Sequence, residues 1–256
     1  MRRLRFAAKP LTGMGVLTAQ VLVAAYRKDI PSCTNQDPSG FFGDPSSPHV
    51  TVVALGDSTV TSPGVEPLDA SWPRQVAHHM AREFHVDFRA LAVGGSKASD
   101  VLADQVQPAM ALQPDLAIVS VGGNDALRGV RVELFEQEYD AILTLLAAQV
   151  PYIVVSGVGD LGSIPRLPTL ARSIARIRGR SFDRAIRRAV RRHPGVLKTD
   201  TWSPGWDEFN TNPEQIFAVD RFHASAYGHR IYAAAVMPAI NKVMRRLARD
   251  ARSDLG

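Results

Sequence analysis

The sequence predicts an α/β domain: a parallel sheet covered by helices on both faces. Three observations carry this reading. Short apolar, β-branched segments recur between residues 49 and 199. The segments between them follow a helical period and are long enough for crossovers joining parallel strands. Several apolar segments also end in Gly, Asp, Ser or Asn, the residues of strand-end turns. Five such segments, each joined by a right-handed βαβ crossover, make a five-stranded parallel sheet. A chain of 256 residues without an internal repeat suits one domain, at 49–250, preceded by a separate N-terminal portion.

That portion has two parts. In residues 1–30, Arg2, Arg3, Arg5 and Lys9 precede the 16 uncharged residues Leu11–Tyr26. Basic then apolar is the order of a signal peptide or a short membrane anchor. The run is shorter than the roughly 20 residues that span a bilayer, and Thr12, Gly13, Thr18 and Gln20 dilute it. Membrane association or export through residues 1–26, to the cell envelope, is the expectation. The alternative is an amphipathic helix packed on a cytoplasmic domain. Residues 31–48 hold four Pro, two Gly and four Ser and read as a linker. The single Cys33 rules out an intrachain disulfide.

The first strand is expected at His49–Leu55, followed by a helix over 71–84 with Ser71 as N-cap and Pro73 in its first turn. A strand at 86–93 and a helix at 98–112 come next. A third strand at 115–121 leads to a long helix at 133–149, whose apolar residues include Leu134, Ile142, Leu145 and Leu146. The fourth strand is 152–158. A loop at 159–168 precedes a basic helix at 169–192, with Gly179 as a break point. A short strand at 196–199, an irregular stretch at 202–222 and a helix at 224–249 complete the domain.

The net charge of +5 comes from 30 basic against 25 acidic residues. The basic residues cluster at 172–192 and 245–252. No aromatic residues interleave them as a base-stacking platform would require, so solvated helix faces are expected rather than a nucleic-acid surface.

The chemistry gathers at the strand ends. Gly56-Asp57-Ser58 follows the first strand, Gly94-Gly95-Ser96 the second and Gly122-Gly123-Asn124-Asp125 the third, with Asp220-Arg221-Phe222-His223 before the last helix. In a parallel sheet these loops converge on one edge, where ligands bind. Ser58 becomes a nucleophile only if a base removes its proton, and His223 is the candidate base. Asp220, three residues earlier, can bond the other imidazole nitrogen and fix its tautomer. Backbone N–H groups of Ser58 and Gly95 and the amide of Asn124 can serve as oxyanion donors. His78, His79, His85 and His193 have no metal-ligand spacing, and His229 is expected on a helix surface. Gly94-Gly95 is not a dinucleotide fingerprint. Asp57 and Asp125 read as structural acceptors. Trp202, Trp206 and Phe209 either line an acyl pocket or pack the loop. A metallophosphoesterase would need His/Asp ligand clusters that are missing.

Taken in order, Gly56-Asp57-Ser58, Gly95, Gly122-x-Asn124-Asp125 and Asp220-x-x-His223 resemble the motifs of the SGNH (GDSL) hydrolase superfamily, over residues 49–245. Leu91–Gly95, Asp160-Leu161-Gly162 and His223–Gly228 look like its bacterial esterase and lipase members. The resemblance implies a flavodoxin-like three-layer α/β/α sandwich and ester hydrolysis without metal or cofactor. It implies Ser58 as nucleophile, His223 as base, Asp220 as orienter, and Ser58, Gly95 and Asn124 as oxyanion donors. Ala90 stands where many members have Asn, Pro63 stiffens a variable loop, and the Gly-x-Ser-x-Gly elbow of other serine hydrolases is missing. The function expected is a serine esterase on a small-molecule, lipid or glycan ester. The alternatives are acyl transfer or thioester hydrolysis with the same groups on a lipid or envelope glycan, or a catalytically idle module binding membrane surfaces.

Overall fold

The computed structural model describes residues 30–202 and 207–253. The N-terminal segment expected to meet a membrane, apart from Ile30, and Trp206 lie outside the described residues. The sheet has six strands: β1 (Gly40–Phe42), β2 (His49–Gly56), β3 (His85–Ala90), β4 (Leu116–Ser120), β5 (Tyr152–Val155) and β6 (Leu197–Lys198), in the order β1-β3-β2-β4-β5-β6. All neighbours are parallel except β1, which runs antiparallel to β3 with Gly40 opposite Phe88. Without β1 the order is the doubly wound 2-1-3-4-5 pattern, whose switch point falls between β2 and β4.

The helices are α1 (Ser58–Thr61), α2 (Trp72–Met80), α3 (Ala98–Asp100 and Val106–Ala111, joined by a π turn at Val101–Gln105), α4 (Gly123–Leu127), α5 (Val132–Ala147), α6 (Thr169–Arg191), α7 (Glu208–Thr211), α8 (Pro213–Ile216) and α9 (Ala226–Ser253). Alternation along the strands divides the core in two, because successive side chains leave opposite faces. Val53, Leu55, Ala117, Val119, Ile153 and Val155 pack under α3, α5 and α6. Val52, Ala54, Leu116, Ile118 and Val154 pack under α2 and α9. The result is the three-layer sandwich that the motifs implied.

The differences from expectation have physical reasons. Residues 31–48 are not a plain linker: β1 lies within them. Its Phe42 is 8% exposed and packs in the α2/α9 core, and its backbone pairs the outer edge of β3. Three residues set among Pro, Gly and Ser carry no periodic signal, so only the pairing reveals them. Gly179 does not break α6. A Cβ there would come within 2.7 Å of the Gly159 carbonyl, so the glycine lets the helix approach the 159–161 loop. Leu134 and Leu145 are 47% and 37% exposed; α5 instead buries Phe135, Tyr139, Ile142, Leu143 and Leu146.

Many arginines of α6 are engaged by the protein itself. Arg188 and Arg192 meet Glu136 and Asp140 on α5, Arg187 meets Asp183, and Arg176 meets Asp160. Arg178 Nε and Nη2 donate to the Ala126 and Val130 carbonyls. The basic stretch is in large part an interhelical seam. Among the described residues no helix is long and apolar enough to cross a membrane.

Candidate active site

The site is built on the turn that leaves β2. Gly56 has φ +145°, and a Cβ there would lie 1.9 Å from the Ser120 carbonyl of β4, so no other residue fits. Gln105, in the π turn of α3, holds Gly56 from the other side: its Oε1 accepts the Gly56 N–H at 2.8 Å, and its Nε2 donates to the Gly56 carbonyl at 3.0 Å. π turns recur at functional sites. Asp57 is the N-cap of α1, accepting the Thr59 N–H at 2.9 Å. Ser58 therefore opens the helix, where a backbone N–H has no intrahelical partner. Below it, Trp72 Nε1 donates to the Thr59 carbonyl at 2.6 Å, and the Trp72 N–H donates to His229 Nδ1 at 3.1 Å. His229 is thus a buried acceptor, not a surface residue. Burial and the nearby His223 push its pKa down to about 3.

Asp220 and His223 sit on a tight turn with Arg221 at φ 57°. Asp220 Oδ1 accepts the N–H groups of Phe222 and His223 at 2.9 and 3.0 Å, and Oδ2 meets His223 Nδ1 at 2.6 Å. Arg166 supports the turn through the Asp220 carbonyl at 3.1 Å. Asp220 is 2% exposed. Burial pushes its carboxyl up, but hydrogen bonding and charge from His223 outweigh this and hold it below the usual carboxylate range. An imidazole held this way at Nδ1 keeps Nε2 available to take a proton.

Ser58 and His223 line the same cavity, of about 140 Å³, together with Asn124. No hydrogen bond joins Ser58 to His223, a bond that commonly tightens only with substrate bound. Of the three expected oxyanion donors, two line the cavity: Ser58 and Asn124. Gly95 is not among its lining residues. Its φ of +87° demands glycine, and a Cβ there would come within 3.2 Å of Arg128 Nη2. Asn124 Nδ2 already donates to Asp57 Oδ2 and to the Ser96 carbonyl, each at 3.2 Å. Both are long bonds that an oxyanion would have to compete with. Asp125 is buried, its two oxygens 3.2 Å from the Ala98 N–H, which ties α4 to the Gly95 loop. Burial pushes its carboxyl up to about 7, while Asp57 is raised by the same cause. Phe209 lines the cavity. Trp202 does not: its ring nitrogen donates to the Val158 carbonyl and Arg180 stacks on it. Among the described residues no three His, Cys, Asp or Glu side chains are grouped to hold a metal ion.

The expected linker contributes a strap that sequence reasoning missed. Gln36 donates from its backbone to the Thr61 carbonyl at 2.8 Å and from Nε2 to Ser62 and Val65 at 2.8 and 3.0 Å, closing the C-terminal end of α1. Asn35 Oδ1 accepts from Thr61 Oγ1 at 2.6 Å and packs on Gly94, and Cys33 packs on Gly64. These contacts run to backbone or small residues far along the chain, and nothing local announces them.

A profile of the GDSL-like lipase/acylhydrolase family matches residues 54–231, from the middle of β2 into α9. The chain belongs to this family. A curated relative, the GDSL-like esterase Rv1075c of Mycobacterium tuberculosis, is 26% identical over 205 residues, which are 76% of this chain. The match spans only 63% of that relative's length. Among solved structures, LAE5, an α/β hydrolase enzyme from the metagenome of Lake Arreo, Spain, superposes with a TM-score of 0.62 at 20% identity, covering 77% of this chain and 97% of that one. A catalytic mutant of Axe2, an acetylxylan esterase from Geobacillus stearothermophilus, gives 0.61 at 17% identity, covering 76% and 95%. At these identities the superpositions establish the shared fold.

Proposed function

We propose that the protein is a serine esterase that hydrolyses carboxylic esters through an acyl-enzyme. Ser58 Oγ attacks the ester carbonyl while His223 Nε2 takes its proton, and Asp220 holds the imidazolium that forms. The oxyanion falls to the Ser58 N–H and, once it leaves Asp57 or Ser96, the Asn124 amide. His223 returns the proton to the leaving alcohol, and a water then releases the acid by the same route. The observation that carries this reading is the Asp220–His223 pair: a buried carboxylate, fixed by two backbone N–H groups, orients an imidazole in the cavity that Ser58 enters from a helix start. A fluorophosphonate probe should label the parent and spare Ser58→Ala. The parent should hydrolyse p-nitrophenyl butyrate, and Ser58→Ala and His223→Ala should lose at least about 1,000-fold in kcat. A parent that neither labels nor hydrolyses short esters sinks the reading. Residues 1–26 are proposed to carry the enzyme to a membrane or out of the cell, which fractionation and N-terminal mass spectrometry of the native protein would test.

A further inference from the structure

The cavity follows the carboxyl edge of the sheet from β2 past β4 to β5 and β6. Leu127, Ile164, Phe209 and Phe217 make its walls apolar. Its floor is different. Thr59 Oγ1 lies 2.7 Å from Ser120 Oγ, which lies 2.8 Å from Ser156 Oγ, so hydroxyls lead from the Ser58 turn to the end of β5. Two strand spacings, about 10 Å, separate β2 from β5, and a third reaches β6. There Thr199, 4% exposed, is among the residues lining the cavity, and its buried hydroxyl has no hydrogen-bond partner among the described residues. Thr201 beside it holds its hydroxyl 3.4 Å from the Val158 carbonyl and from Asp183 Oδ1, both loose bonds. At Gly157 a Cβ would collide with Asp183 Oδ1 at 2.2 Å and Thr201 Oγ1 at 2.4 Å, so the glycine leaves room for these polar groups beside the cavity.

Buried polar groups are as a rule paired, and a threonine hydroxyl can both donate and accept. A cavity meant only for an alkyl chain would gain from Val at 199, because burying an unpaired hydroxyl is unfavourable. The ester chemistry proposed above uses none of these hydroxyls. Lys198 Nζ is already 2.7 Å from Asp183, so this end of the cavity offers hydroxyls rather than an uncompensated charge.

We propose that Ser156, Thr199 and Thr201 form a subsite for a hydroxyl group on the acyl part of the ester, making hydroxyacyl esters the preferred substrates. This rests on the esterase reading. The acyl part is the one concerned because the leaving alcohol must stay beside His223 to receive its proton. The acyl group, attached to Ser58, takes the remaining length of the cavity.

The test compares p-nitrophenyl hexanoate and octanoate with their ω-hydroxy counterparts, in the parent, Thr199→Val and Ser156→Ala. Thr199→Val keeps the shape and removes the hydroxyl. The parent should favour the ω-hydroxy ester in kcat/KM at one of these lengths, and Thr199→Val should cut that preference over the plain ester by about tenfold. A preference equal in parent and Thr199→Val, or one seen only with a hydroxyl on the alcohol part, overturns the subsite. If the parent hydrolyses no ester, the esterase reading fails by itself. The subsite is then decided by titrating the full-length protein with hexane-1,6-diol and hexan-1-ol. Tighter binding of the diol that Thr199→Val abolishes supports it, and equal behaviour of the two proteins refutes it.

Discussion

Asp220→Asn separates orientation from mere presence of His223. The asparagine is isosteric, and its Oδ1 can still accept the Phe222 and His223 N–H groups now held at 2.9 and 3.0 Å. What changes is the atom 2.6 Å from Nδ1: an acceptor becomes an N–H donor. Two donors cannot face each other at that distance, so the imidazole proton moves to Nε2 and Nδ1 accepts from the amide. Nε2 then has no lone pair for the Ser58 proton. The expected loss in kcat is about 1,000- to 10,000-fold, or about 4–5.5 kcal/mol of transition-state stabilisation. Folding should change far less, by about 1–2 kcal/mol, since the two backbone bonds remain. The acid limb should change too. Asp220 has a depressed folded pKa, so its charged-form stabilisation is present above the ordinary carboxyl pKa and is lost as pH falls through the folded value. Asn removes this dependence. The assay is kcat/KM on p-nitrophenyl butyrate with urea unfolding in parallel, and ¹⁵N imidazole spectra to read the tautomer. Activity within tenfold of the parent, or an Nε2 that stays unprotonated, would refute the reasoning.

Gln36→Ala should cost about 1–3 kcal/mol in urea unfolding, because two carbonyls after α1 lose their donor. It should also lower kcat several-fold while Gln36→Glu or another surface change in 31–48 gives no rescue; unchanged kcat and stability would show that the strap does not hold the Ser58 turn. Gly56→Ala should destabilise by about 3–5 kcal/mol or prevent folding, since the added Cβ meets the Ser120 carbonyl at 1.9 Å, and thermal unfolding checks it. His229→Gln should flatten the acid side of the stability curve. His229 titrates at about 3 when folded and near 6.5 when unfolded, so the unfolded chain takes up a proton first. Its contribution is complete above about pH 6.5 and declines toward pH 3, by on the order of 1.4 kcal/mol per pH unit. Asp125, raised to about 7, acts in the opposite sense between about pH 4 and 7, so the parent-minus-variant difference, not the parent curve, is the measurement. An identical pH dependence in both proteins would count against a buried neutral His229.

Much of the site is legible because its parts are local. Asp220 and His223 are three residues apart, so one turn brings them together. Gly56-Asp57-Ser58 announces a strand end because apolar β-branched residues stop abruptly at glycine. What escaped reading depends on distant partners. Gln105 looks like any helix glutamine until Gly56, 49 residues earlier, is placed against it. The direction of the Asn124 amide is set by Asp57 and Ser96, and the burial of His229 by Trp72.

The alternation of apolar strands and helical crossovers in the sequence determined by itself an α/β domain with its polar loops on one edge, because hydrophobic periodicity and strand-end chemistry are properties of neighbouring residues. The tertiary structure alone decided three things. It paired β1 to an edge that composition hid, it folded residues 31–36 over the Ser58 turn, and it set the order β2-β4-β5-β6 that runs a hydroxyl-floored cavity away from Ser58. Each of these depends on which backbone and polar groups find one another across the chain, and a buried hydrogen-bonding group constrains its partner without leaving a pattern in the residues beside it.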